Sequence, residues 1–374
     1  MTQPNAPKSK QAVGTILIMA GGTGGHVFPA LAVADYLRDL GIQVHWIGTD
    51  KGIEAKVVPE NNIPLHTINI TGIRGKSLTK FITGPIAIAK AIAQAKSIIR
   101  QIKPDVVLGM GGYASGPGGI AARLCGIPLI VHEQNAIAGS TNKILARLAK
   151  HVLCGFPNAL PKGVFVGNPV RNGFYQQRQP SERVKKQDDG LPFNVLVLGG
   201  SLGAKALNQK VPEALALLPA GINVQVVHQS GARTKAVAQE AYSVLKVQKP
   251  EYHIELPEFI VDVAKAMADA DLIICRAGAL TVAELAAVGA ASLLVPFPFA
   301  IDDHQTANAR WLSEKGAAIL CPEATLTAAL LADHITQLYH DRSRLHKMAV
   351  TAFMRDEKTP TANVADYCLE YLHV

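Results

Sequence analysis

The chain has few of the features that would fix a small, metal-bound or membrane-spanning fold. Its 374 residues hold five cysteines, Cys125, Cys154, Cys275, Cys321 and Cys368, none in C-x-x-C or Cys/His ligand spacing. That pattern argues against a zinc cluster or a disulfide framework and for a reducing compartment. No apolar run reaches the ~18 residues that a membrane span requires. The opening MTQPNAPKSKQAVG lacks the apolar core of a signal peptide, so residues 1–14 read as a disordered lead-in. Acidic residues are missing from 71–103, where Arg74, Lys76, Lys80, Lys90, Lys96, Arg100 and Lys103 make the most polarised segment of a chain whose net charge is +8. Such a balance suits anionic membranes, phosphorylated substrates or nucleic acid. Nucleic acid is the weakest of the three, because the segment has neither a recognition motif nor interleaved aromatics.

With 48% hydrophobic residues, the chain can bury a large core and exceeds the usual size of one domain. Short β-branched runs alternate with runs of helical period, which predicts parallel α/β layers. In the first half the strands are TILIMA, QVHWIG, PDVVLGM, IPLIVHE and HVLCGF. The second half restarts with NVLVLGG and continues through NVQVVHQ, HIELPE, DLIICRAG, ASLLVPF and AAILCP. Between them RNGFYQQRQPSERVKKQDDGLP is polar and irregular, placing a domain connection within 167–191. We expect an N-terminal domain over 15–170, a C-terminal domain over 171–355, and a C-terminal helix over 356–374 returning to the first domain. Both domains are expected to be doubly wound, facing one another across a cleft.

Each half opens on a strand followed by a glycine turn, GGTGGH and GGSLGA. Glycine lets the chain turn sharply and a ligand approach the backbone, while the next helix offers free N–H groups and a positive dipole end. Sharper templates fail. GGTGGHV is not G-x-G-x-x-G and no clean acid closes the second strand, which argues against a dinucleotide fold. The Gly75-Lys76-Ser77 triplet lacks the earlier glycine of a P-loop, where Ile70 stands. LGGSLGA matches G-x-S-x-G and leaves an α/β-hydrolase using Ser201 as a rival reading.

Seven motifs, GGTGGHVFPALA, GMGGYASGPGGIAA, PLIVHEQNAIAGSTNK, VGNPVR, GGSLGAKALN, CRAGALTVAELAAVG and DDHQTANA, together resemble the MurG family, from about residue 15 to residue 316. The resemblance implies the two-domain GT-B architecture and an inverting transfer of N-acetylglucosamine (GlcNAc). The donor would be UDP-GlcNAc, and the acceptor the 4-hydroxyl of MurNAc in undecaprenyl-pyrophosphoryl-MurNAc-pentapeptide (lipid I), giving lipid II for peptidoglycan. By position, the family's nucleotide-sugar contacts fall on Thr23, Gly24, Gly25, Asn135, Arg171, Ser201 and Ile260. They continue through Ala279, Leu280, Thr281, Val282, Ala283 and Glu284 to Gln305. His304 departs from the glutamine expected there.

The chemistry asks for a base, stabilisation of the departing diphosphate, and fixed placement of both substrates. His26 is the candidate catalytic group, as base or as a positioning group. Ser201, the N–H groups after it and Arg171 suit the UDP diphosphate, so neither a cofactor nor a metal is expected. The Asp302–Asp303 and Asp188–Asp189 pairs read as solvated charge. Glu284 suits both ribose hydroxyls, with a favourable place at a helix N-terminus as the blander explanation, and the backbone at Ile260 suits the uracil edge. The first-domain turns, with Gly22, Gly111, Gly112 and Tyr113, are left for the acceptor diphosphate.

Arg74, Lys76, Lys80, Phe81 and Ile82 mix cations with apolar side chains in a way that suits an anionic leaflet. In the helix after them Ile88, Ile92, Ala95, Ile99 and Ile102 share one face and are expected to pack inward. The expected setting is peripheral, on the cytoplasmic face of the inner membrane, with other cell-wall and division proteins as further partners. The non-enzymatic alternative is a UDP-sugar-binding recruitment module.

Overall fold

The computed structural model describes residues 14–70, 78–183, 191–200 and 203–372; the side chains of 78–83 are not described. The lead-in 1–13, Arg74 and Lys76, the Asp188–Asp189 pair and Ser201 lie outside these residues. The chain divides into two compact units, Met1–Pro169 with Lys358–Val374, and Val170–Glu357.

Unit 1 is a seven-stranded parallel sheet in the order β3-β2-β1-β4-β5-β6-β7. Its strands are β1 (Thr15–Met19), β2 (Gln43–Gly48), β3 (Leu65–Thr67), β4 (Val106–Gly109), β5 (Leu129–Glu133), β6 (His151–Cys154) and β7 (Val164–Phe165). Between them run α1 (Gly24–Asp39), α2 (Glu54–Glu60), α3 (Leu78–Ile102), α4 (Ser115–Leu124) and α5 (Ser140–Leu145). Side chains alternate along β1, so Ile16 and Ile18 enter one core and Leu17 and Met19 the other. Both faces are covered, as a parallel sheet requires.

Unit 2 is a six-stranded parallel sheet in the order β10-β9-β8-β11-β12-β13. Its strands are β8 (Phe193–Leu198), β9 (Val224–Gln229), β10 (His253–Glu255), β11 (Leu272–Cys275), β12 (Ser292–Leu294) and β13 (Ala318–Leu320). The helices are α6 (Asn172–Tyr175), α7 (Lys205–Ala216), α8 (Lys235–Gln248), α9 (Val263–Asp269), α10 (Ala279–Val288), α11 (His304–Ser313), α12 (Ala328–His340) and α13 (Arg342–Ala352). The last helix, α14 (Pro360–Leu369), rejoins unit 1, where Val364, Ala365 and Cys368 are buried beside Ala30, Val33 and Leu37 of α1.

All eleven expected runs form strands. Two strands are additional, β3 and β7, edge strands of three and two residues that are too short for a hydrophobic period to declare itself. The stretch read as an irregular connection also differs. It carries α6 and a 3₁₀ turn at Pro180–Glu182, and Arg183 donates to the carbonyls of Ala268, Val288 and Gly289 at 2.8, 2.6 and 2.9 Å. Arg355 likewise binds the Phe174 and Gln177 carbonyls at 3.0 and 2.9 Å. The Arg183 guanidinium there serves backbone acceptors, so residues 171–183 pack onto the rest of unit 2. In α3, Ala91, Ala95 and Ile99 are buried and Ile92 and Ile102 pack beside them. Ile88 instead lines a cavity of about 270 Å³ with Ile70, Tyr113, Ile120, Ile144 and Leu145.

Candidate active site

In unit 1 the turn after β1 touches the turn after β4. The Gly21 N–H donates to the Gly111 carbonyl at 3.3 Å, and a Cβ on Gly112 would lie 2.1 Å from the Gly21 carbonyl oxygen. A Cβ on Gly21 would meet the Glu54 carboxylate at 2.5 Å. Gly112 and Gly21 are therefore glycine because backbone and a carboxylate already occupy the space beside them. Gly22 shares the positive φ of Gly111 and Gly112, at +90°, but a Cβ there would meet nothing within 4 Å.

Glu54, fully buried, holds this turn. Its carboxylate accepts from the Gly22 N–H at 2.9 Å, the Thr49 N–H at 3.0 Å and the Thr49 hydroxyl at 2.7 Å. The Gly22 N–H, expected to receive the acceptor diphosphate, is thus committed to a side chain. The N–H groups of Gly24 and Gly25, at the start of α1, have no acceptor among the described residues.

His26 lies in the first turn of α1, half-buried, and its imidazole lies against Gly111. Its Nδ1 is 2.8 Å from Oε1 of Gln134. Gln134 Nε2 lies 3.1 Å from His132 Nδ1, and His132 Nε2 lies 2.9 Å from the Gly167 carbonyl. Burial pushes the His132 imidazole down to about 4, so the ring is neutral near pH 7. Asn168 clasps the same segment, its amide donating to the Gln134 carbonyl at 2.9 Å. Asn135 belongs to this loop too. Its N–H and side-chain amide donate to Glu133 Oε1 at 2.9 and 3.2 Å, while the Gly139 N–H and Asn142 amide donate to Oε2 at 3.1 and 2.9 Å. Tyr113 is exposed beside the apolar cavity.

In unit 2, Glu284 is 9% exposed on α10. Burial pushes its carboxyl up to about 7, against the opposing pull of the Arg171 guanidinium. Arg171 caps α6 and lies over the Phe174 ring at 5.5 Å. Along the expected contact stretch Ala279 and Val282 are buried in the core, whereas Leu280, Thr281 and Ala283 are partly accessible. The Ile260 N–H donates to Gln229 Oε1 at 3.3 Å. Gln305 Oε1 accepts from the Phe297 N–H at 2.9 Å, and His304 Nδ1 donates to the Ile301 carbonyl at 2.7 Å. Of the glycine turn after β8, Gly200 is open at φ +82°, while a Cβ on Gly203 would strike Thr234 Oγ1 and the Ser230 carbonyl.

The expected donor contacts thus divide between the units, with Thr23, Gly24, Gly25 and Asn135 in unit 1 and the rest in unit 2. Sequence reasoning missed Glu54, His132, Glu133 and Gln134. Glu54 carried a signal, an acid shortly after β2 where dinucleotide-binding folds place theirs. Here it turns inward to the glycine loop. Among the described residues no three His, Cys, Asp or Glu side chains converge into a metal-binding group, and no helix is long and apolar enough to cross a membrane.

Residues 16–154 match the glycosyltransferase family 28 N-terminal domain, and residues 194–364 match the glycosyltransferase family 28 C-terminal domain. Curated relatives from Ralstonia nicotianae and Alkalilimnicola ehrlichii both carry the name UDP-N-acetylglucosamine–N-acetylmuramyl-(pentapeptide) pyrophosphoryl-undecaprenol N-acetylglucosamine transferase. The first is 49% identical over 358 residues, 95% of this chain and 96% of the relative. The second is 50% identical over 357 residues, 95% of this chain and 98% of the relative. The crystal structure of Acinetobacter baumannii MurG is similar, with a TM-score of 0.81 and 42% identity across 96% of this chain and 99% of that one.

Proposed function

We infer that this chain, which belongs to glycosyltransferase family 28, transfers GlcNAc from UDP-GlcNAc to the MurNAc of undecaprenyl-pyrophosphoryl-MurNAc-pentapeptide, converting lipid I to lipid II in peptidoglycan synthesis. The observation that carries this reading is the 50% identity, over 95% of the chain, to a transferase named for that reaction. The hydrolase and recruitment-module readings have no such support.

In the proposed reaction His26 Nε2 takes the proton of the MurNAc 4-hydroxyl as its oxygen attacks C1 of GlcNAc. The bond from C1 to the UDP oxygen breaks, its electron pair leaves with UDP, and the linkage inverts. Arg171 and the glycine turn after β8 oppose the growing charge on the diphosphate. Glu284 accepts both ribose hydroxyls, the Gly24 and Gly25 N–H groups at the start of α1 serve the donor, and the turns carrying Gly22, Gly111, Gly112 and Tyr113 face the acceptor diphosphate. The test is product mass after incubation with UDP-GlcNAc and a soluble lipid I analogue. One added N-acetylhexosamine is expected; release of UDP with no sugar on the acceptor would overturn the assignment.

A peripheral site on the cytoplasmic face of the inner membrane follows from the same reading, because the acceptor is lipid-anchored. What supports it in the chain is the sequence of residues 73–83, with Arg74, Lys76, Lys80, Phe81 and Ile82. Each cation near an anionic surface contributes about 1 kcal/mol. Co-sedimentation with anionic vesicles should weaken in high salt and in a Lys76→Glu, Lys80→Glu, Phe81→Ser variant. Binding that ignores salt and the substitutions would place docking elsewhere.

A further inference from the structure

Two carbonyl oxygens fix the direction of the hydrogen bonds that end on His26. A carbonyl can only accept, so His132 Nε2, 2.9 Å from the Gly167 oxygen, must carry the proton. His132 is fully buried and held neutral, its pKa pushed down to about 4 by burial, so its Nδ1 keeps a lone pair. That lone pair faces the Gln134 side chain at 3.1 Å, and the same amide group stands 3.1 Å from the His132 carbonyl. Two acceptors converge on one end of the Gln134 amide, so its nitrogen must point there and its oxygen toward His26. The flipped amide would set an oxygen against both. Gln134 Oε1 can then only accept, and the proton of the 2.8 Å contact belongs to His26 Nδ1.

We propose that His132 and Gln134 are positioning residues that lock His26 in its Nδ1–H tautomer, leaving the Nε2 lone pair as the only basic site of the ring. The tautomer assignment stands on the hydrogen bonds and the burial of His132; its catalytic meaning rests on the base role proposed for His26. An amide cannot take the proton onward. After Nε2 accepts the hydroxyl proton, the imidazolium keeps both N–H bonds, with Nδ1–H still donating to Gln134 Oε1. Gln134 is 1% exposed, so water does not compete for that oxygen and the ring orientation is held before substrate arrives.

The direct test is long-range ¹H–¹⁵N correlation of the full-length protein labelled at histidine nitrogen, with His26 assigned through a His26→Gln variant. The unliganded wild type should show His26 as the Nδ1–H tautomer and His132 as Nε2–H. In Gln134→Leu, His26 should move toward the mixture of free imidazole, and kcat should fall by ~10²-fold or more, because a base in the wrong tautomer cannot accept the proton. In Gln134→Glu the buried carboxyl, neutral, presents the same acceptor to His26 and a donor to His132, so tautomer and part of kcat should return. A wild-type His26 protonated on Nε2, or a tautomer unchanged in Gln134→Leu, would overturn the proposal. A confirmed Nδ1–H tautomer with full activity in His26→Ala would uphold the lock and remove the base role instead.

Discussion

A Cβ on Gly111 would lie 2.8 Å from His26 Nδ1, so the imidazole occupies the volume that any larger residue at 111 needs. Gly111→Ala should displace the ring. Its backbone, at φ +98°, adds strain that costs about 1–2 kcal/mol for a residue with a side chain. Gly126→Ala isolates the strain, because Gly126 has φ +76° and nothing within 4 Å of its Cβ position. Both variants should lose stability in thermal unfolding, Gly111→Ala the more because it also displaces the imidazole. With His26 as the proposed base, only Gly111→Ala should also lose kcat, by ~10- to 100-fold, the cost of misplacing that group.

Glu284 makes two opposed pH predictions. If its carboxylate takes the ribose hydroxyls, UDP binds the ionised form, and with a pKa of about 7 affinity should fall as pH drops from 8 to 6. Glu284→Ala should weaken UDP binding by about 1–3 kcal/mol at pH 8, and Glu284→Gln should flatten the pH dependence in calorimetry. Stability runs the other way. The folded state holds the proton more tightly than the unfolded chain, so stability is fully present below about pH 4.5 and is lost as pH rises toward 7. Glu284→Gln should therefore raise Tm more at pH 8 than at pH 5.

Removing Glu54 strands its donors. In Glu54→Ala the buried Thr49 N–H loses its acceptor inside the fold and the more exposed Gly22 N–H loses its tie to the turn, which should cost on the order of 1–3 kcal/mol. Glu54→Gln keeps the volume but sets an amide N–H₂ against these donors, so it should rescue Tm only in part. Equal Tm for wild type and Glu54→Ala would show that the carboxylate does not hold the turn.

His228 should make unit 2 acid-sensitive. Burial pushes its imidazole down to about 3, and Nδ1 lies 2.9 Å from the Tyr242 hydroxyl. A histidine held neutral stabilises the fold above its unfolded pKa near 6.5, and that stability is lost as pH falls from there toward the folded value. His228→Gln, which cannot be protonated, should lower Tm at pH 7.5 yet lose less between pH 6.5 and 4.5 than wild type. Parallel losses in the two proteins would rule out His228 as the sensor.

What the sequence made legible was whatever repeats locally. Eleven strands announced themselves by β-branched runs, and the inward face of α3 by its spacing of apolar residues. β3 and β7 owe their pairing to β2 and β6 and so had no pattern of their own. Glycine was ambiguous for a physical reason: a bare α-carbon suits a ligand, a positive φ or a neighbouring chain alike. Gly22 and Gly200 remain open, whereas Gly21, Gly111 and Gly112 are filled from within the protein. The His26–Gln134 contact spans 108 residues, and nothing local to either residue discloses it.

The return of α14 to unit 1 reverses the order in which the two halves can be finished during synthesis. Unit 2 is continuous from Val170 to Glu357, whereas unit 1 lacks Val364, Ala365, Cys368 and Leu372 of its core until after unit 2 has been made. On the ribosome, where domains fold as units, the half that begins first closes last. Until then α1, whose first turn carries His26, has an uncovered apolar flank. A nascent chain stalled after unit 2 emerges should resist protease over 170–357 before it does over 15–169.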